Sequence, residues 1–390
     1  RSMRRAVLLM VMIMICPTVL AESESTVHIE LERRLTNFDI GITGGEISPN
    51  GNQILAYGAE GFAIIISASN PDTDEGDISL ENETTNTFRA VSWHPQGRSA
   101  LIVGDDATIY RYNSTTYALE DVSIPPEMGQ RDLWSVSWNS AGSVAFIGSN
   151  DGSIWKYQAN EIVLLNNTAV SRINDIDCLK NKNYCVVTSL NDGVAVIDPS
   201  DNVEWIGGTD SITWVGVSCV DPSRNACSLL GSGMKIGDLR IDIVDTKASY
   251  LSSTLGIEDL QGDFVSDSDG ASSSTLVGIA PIGLMRWTQY EDEAMLLFDT
   301  EFAVETDILL GGDSFACAWE VEKNRGFVLT EDGRIISFIP AEEAIESSTG
   351  EIVLAWIVAI CVLGLPFGMI YWNSPWLQRK YKEIFGKKKR

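Results

Sequence analysis

Histidine is nearly missing from this 390-residue chain, with His28 and His94 the only two. A Ser-His-Asp triad has only those positions to draw on, and a two-histidine metal site would have to use both. Bases are scarce as well: 28 Lys and Arg face 54 Asp and Glu, a formal charge of −26. Proteins that neutralise phosphates cluster bases, so this balance excludes nucleic acid as a partner. The chain has no G-x-S-x-G elbow, no H-E-x-x-H and no phosphate-binding P-loop. Runs of Lys and Glu that favour long helices are few. What is plentiful is glycine, 33 residues, in a chain that is 44% apolar. That is too apolar for disorder and enough to bury a large core, and the composition reads as an extracellular β-protein.

The two ends differ from the rest. Arg4 and Arg5 precede the apolar run Ala6–Cys16, and small residues Val19 and Ala21 follow. This is the pattern of a secretory signal over residues 1–21, cleaved after Ala21. Residues 352–372 form a stretch of 21 without a charge, the length of one membrane crossing. Tyr371, Trp372 and Trp376 crowd its far end, and seven bases follow in the tail 373–390, marking that side as cytoplasmic. The chain therefore reads as a single-pass type I membrane protein, with residues 22–340 outside and 341–351 as a juxtamembrane linker. The plasma membrane is the expected site. In a eukaryotic host, Lys387 and Lys388 at the fourth and third positions from the end resemble the di-lysine retrieval signal of the endoplasmic reticulum. Since the ends together carry +9, residues 22–351 carry −35 against −26 for the whole chain. Such a field repels anionic lipid and attracts cations or basic partners, but acids spread along the chain rather than clustered favour the plainer reading, a surface kept soluble in salty water.

Between the ends one pattern recurs. Val91-Ser92-Trp93-His94-Pro95-Gln96-Gly97 leads into Leu101–Gly104 and then Thr108–Tyr112. Val136–Gly142 leads into Ala145–Gly148 and then Asp151–Tyr157. With Trp93 as marker, copies fall at 47, 93, 138, 178, 219, about 265 and 319, steps of about 40–54 residues. Each unit is an apolar strand, a Pro/Asn/Gly turn, a second strand, a Gly or Asp-Gly turn and a third strand. One such meander cannot bury both faces, so copies stack radially: the expected fold is an all-β, seven-bladed propeller.

Ser92-Trp93-His94-Pro95-Gln96-Gly97 resembles the first turn of the WD-repeat family, and Asp151-Gly152, Asp192-Gly193 and Asp332-Gly333 resemble its second. The resemblance spans about residues 40–340. The family's closing Trp-Asp dipeptide is replaced by Arg111-Tyr112, Lys156-Tyr157 and Ile197-Asp198. Quinoprotein-like propellers are the second resemblance, without the regular repeat of their tryptophan docking signature. Blade seven has only three strands before Pro340, and the alternating segment Thr26–Glu32 is the expected fourth, tying the ring shut.

Cys178 and Cys185 fall on the first and second strands of blade four, and Cys219 and Cys227 on those of blade five. Opposed positions on antiparallel strands suit disulfides, so the expected pairs are Cys178–Cys185 and Cys219–Cys227. Cys317, two residues before the Trp319 marker, is left as a buried thiol. Weak calcium candidates are Asp72, Asp74 and Asp77 in one loop and Asp267 and Asp269 in another; neither loop fits the EF-hand spacing. Asn82, Asn113 and Asn166 head glycosylation sequons. His94, in a turn, reads as structural. The expected function is a non-catalytic protein-interaction or assembly scaffold, a tethered propeller offering loop faces to a protein or a glycan, with no cofactor. The alternative is a propeller enzyme, hydrolase or quinoprotein-like, using acidic residues of the central channel.

Overall fold

The computed structural model describes residues 26–36, 39–221, 223–233, 235–242, 247–254, 260–264, 274–279, 283–288, 293–298, 314–341 and 373–385. Its strands assemble into seven sheets of four. The blades begin with first strands Ile42–Ile47, Phe88–Trp93, Leu133–Trp138, Ile173–Cys178, Trp214–Ser218, Leu260–Phe264 and Phe315–Glu322. In blades one to six the four strands follow one another along the chain. Blade seven takes three from its own segment, and its fourth is Val27–Arg34, beside Arg334–Pro340. The expected closure is thus present. First strands of successive blades touch all the way round, blade seven against blade one included, so the ring is complete.

Every first strand carries the same irregularity. The register slips between its first and third residues in all seven blades, from Ile42/Gly44 to Phe315/Cys317. Such a bulge re-aims the extra residue and restarts the alternation. It also corrects the sequence alignment of blade seven. Cys317 pairs with Leu329 as Ala90 pairs with Val103, so Glu320 and not Trp319 stands in the Trp93 slot.

The core lies between sheets. Ile42, Phe88, Leu133, Ile173, Trp214 and Phe315, each opening a first strand, are buried. Burying such a side chain contributes roughly 1.5–3 kcal/mol. Further down the strand, Val91 and Trp93 pack back onto Leu55 and Tyr57 of blade one. The residue just before the marker points the other way and hooks the next blade. Glu46 Oε2 accepts the Trp93 N–H at 3.2 Å, and Ser92 Oγ accepts the Trp138 N–H at 3.2 Å. Asp177 and Asp175 accept the amides of Cys219 and Val217, at 2.7 and 2.8 Å. Blades are therefore joined by side-chain to backbone bonds as well as by apolar contact.

Both expected disulfides are formed. Cys178 and Cys185 are directly opposed, with Cα atoms 3.9 Å apart, and Cys219–Cys227 has 4.3 Å. Cys317 is a buried free thiol whose pKa burial pushes up to about 12.

The chain divides into two compact units, Arg1–Ile339 and Pro340–Arg390. The second contains the helix Pro375–Phe385, which places Lys380 5.3 Å over the Trp376 ring. Among the described residues no helix is long and apolar enough to cross a membrane. The expected signal, 1–21, and the expected span, 352–372, lie outside the described residues.

Candidate functional site

Two places on the propeller gather groups that the fold does not consume, at opposite ends of the first strands. At the starting end the bulges supply them. Arg89 and Trp134 are the bulge residues of blades two and three, and Arg172 leads into the first strand of blade four. The guanidinium carbons of Arg89 and Arg172 each lie 4.1 Å from the centre of the Trp134 ring. Two cations on one indole repel each other. Burial, with Arg89 adding to it, lowers the Arg172 pKa. Asp105 offsets the charge of Arg89 through a two-pronged contact, one arm 3.0 Å long, and Asn174 accepts from Arg172 Nε at 2.7 Å. The result is a cationic Arg-Trp-Arg sandwich, partly open to solvent, in a propeller of strongly negative charge.

At the finishing end, turns of blades two and three enclose a cleft of about 440 Å³. His94 forms part of its wall. The Gln96 amide donates to His94 Nδ1 at 3.2 Å, so the proton sits on Nε2, which donates to the Gly142 carbonyl at 2.9 Å. The imidazole meets Trp138 edge-on at 5.0 Å, and Trp138 meets Tyr157 edge-on at 5.7 Å. Both ring nitrogens are engaged, so His94 acts as a bracket between the two turns. The lining also includes Arg98 and Arg111.

Inside the ring, Glu46 is the perturbed carboxyl. Burial pushes it from 4.5 up to about 8; the Lys180 charge and the Trp93 amide oppose this, and Asp177 and Asp175 reinforce it. These are residues of blades one and four, so the channel carries a group of acids. Among the described residues no three His, Cys, Asp or Glu side chains are arranged to hold a metal.

The residues singled out in sequence are dispersed. Asp77 accepts from Arg33 through both carboxylate oxygens, at 2.9 and 3.1 Å, while Asp72 and Asp74 are exposed, so the three carboxylates are not gathered in this structure. Asp267 and Asp269 lie outside the described residues. Of the sequons, Asn166 is exposed, and Asn113 sits on the rim of the cleft with its Oδ1 accepting from the Thr115 amide at 2.9 Å. Asn82 is built into the fold, its Nδ2 donating to the Gly61 carbonyl at 2.7 Å. Arg89, Trp134, Arg172, Arg98 and Arg111 were not singled out. The signal for the arginines was their rarity, as bases in so acidic a chain.

The fold defines a seven-bladed β-propeller. No protein-family model matches the chain, and no curated protein matches it either.

Proposed function

We infer that this is a WD-repeat-like propeller, exported by residues 1–21 and held at a membrane by 352–372, with the basic tail in the cytoplasm. In this reading it works as a non-catalytic scaffold, the least demanding role for a ring whose polar side chains bind one another, and docks a protein partner at the Arg89–Trp134–Arg172 face. The observation that carries the reading is that sandwich. Arg and Trp dominate the energetics of protein interfaces, and with Arg89 held by Asp105 on the same indole, Arg172 is the guanidinium left pre-oriented for a partner's carboxylate. The host membrane is the plasma membrane, or the endoplasmic reticulum if the tail lysines are read as a retrieval signal.

Crosslinking of the intact protein in its own membrane tests this. Adducts through blades two to four should vanish in the Trp134→Ala, Arg172→Glu variant and persist in an Arg98→Ala, Arg111→Ala variant. Adducts unchanged by the first variant would sink the docking face.

One observation favours the enzymatic alternative, the raised pKa of Glu46, since carboxyls poised near neutrality recur at catalytic centres. Against it, Glu46 Oε2 is already engaged by the Trp93 amide. Loss of a hydrolytic activity in Glu46→Gln, with the fold retained, would favour that alternative.

A further inference from the structure

We propose that the cleft between blades two and three binds a carboxylate-bearing saccharide of the uronate type. The first observation is charge. Residues 22–351 contain 53 Asp and Glu, yet among the described residues none lines this cleft, whereas Arg98 and Arg111 do.

The second is that these two arginines are spare. Residues 22–351 hold twelve arginines. Nine of them pair with carboxylates: Arg33, Arg34, Arg89, Arg131, Arg224, Arg240, Arg286, Arg325 and Arg334. Arg172 stacks on Trp134. Arg98 and Arg111, like Arg172, make no ion pair among the described residues, and unlike Arg172 they stack on no ring there, although Glu120 stands opposite Arg111 in the strand register. In a molecule with so many acids, two unpaired guanidiniums at one cleft are the exception that asks for an anion.

The third is a spare donor in the wall. Trp93 gives its indole N–H to the Glu46 carbonyl at 2.9 Å, but the equivalent N–H of Trp138 is buried without a partner among the described residues. The rest of the lining is neutral and polar. Asn113 and Asn160 spend their carboxamide oxygens on Thr115 and Tyr157, which leaves their amide nitrogens as donors toward the cleft. Amides and hydroxyls that both give and accept match sugar hydroxyls, aromatic rings match the C–H faces of a pyranose, and a guanidinium matches a carboxylate. The walls are turns and strand ends, not the length of a strand edge, so they lack the ladder that an extended peptide would use. A volume of about 440 Å³ suits one or two sugar rings.

This site lies at the opposite end of the strands from the Arg89–Trp134–Arg172 face and does not depend on the docking reading. The test uses the full-length chain in detergent, made in a bacterial host so that Asn113 is bare. Digalacturonate is titrated by calorimetry beside its dimethyl ester and the dipeptide Glu-Glu. Digalacturonate should bind with a Kd of about 1 mM or tighter, and the ester about tenfold more weakly or worse. The Arg98→Ala, Arg111→Ala variant, whose melting should be unchanged because both side chains are exposed, should lose at least about tenfold. Arg98→Lys, Arg111→Lys should recover part of that, and Trp134→Ala, Arg172→Glu should bind like the wild type. No binding of digalacturonate, equal binding of the ester, indifference to the alanine pair, or tighter binding of Glu-Glu would each overturn the assignment.

Discussion

Glu46 is asked to do two things, to accept a backbone amide from the next blade and to sit among other acids inside the ring. Unfolded, its carboxyl loses its proton near 4.5; folded, it holds the proton up to about 8. Between those limits the native state binds a proton that the unfolded chain has released, so stability falls as pH rises through the window and levels off above it. Relative to Glu46→Gln, the wild-type protein should lose a few kcal/mol between pH 4.5 and 8, at about 1.4 kcal/mol for each tenfold change in proton affinity. Urea denaturation at both pH values reads the difference, and a difference that does not change with pH would show an ordinary carboxyl. Gly142 gives a second test. Its φ is +65°, and an added Cβ would stand 2.3 Å from His94 Nε2. Gly142→Ala should therefore cost more than the ~1–2 kcal/mol of a left-handed residue alone. Adding His94→Ala should return the excess, and additive losses in that double variant would show that the bracket does not exist.

At the scale of elements, the disulfides staple the first two strands of blades four and five. Replacing Cys178 and Cys185 by Ser should lower stability by about 2–3 kcal/mol on the chain-entropy model. Non-reducing peptide mapping should return Cys178–Cys185 and Cys219–Cys227, and a Cys178–Cys219 peptide would break the blade register. These pairs were legible in the sequence, as were the blade rhythm and the closing strand, because each is carried by local alternation and by spacing within one repeat. The interfaces were not. The hooks from Glu46, Ser92 and Asp177 reach 42 to 47 residues along the chain, one blade away, where no local pattern reports them. Arg89 and Trp134 face each other only because a bulge turns both. Blade seven misled for the same reason: Trp319 is the conspicuous residue, but the bulge at Phe315/Cys317 puts Glu320 in the marker slot. The cleft was hidden as well, since its walls come from turns of two different repeats.

For the whole molecule, charge sets the conditions. A propeller region carrying −35 repels itself, and most of that charge lies further apart than a Debye length at high salt. Its melting temperature should rise as sodium chloride is raised from low to molar concentration, and a fall would mean that the nine arginine pairs outweigh the repulsion. Protease added outside intact cells should remove the propeller and leave a small basic fragment; full protection would place the propeller on the other side of the membrane.

The seventh blade also imposes a calendar. Val27–Arg34 is made some three hundred residues before its partner strand Arg334–Pro340. Until then Val27–Arg34 has no strand to pair with, and six blades stand as an open arc with an unpacked apolar sheet face at each end. Joining the two strands is a single long-range event whose entropic cost grows only slowly with the length spanned, but which cannot begin before Arg334–Pro340 has been made. Maturation of this protein is thus timed by its last blade, and any factor that shields a lone β-edge has its moment of use before that blade emerges.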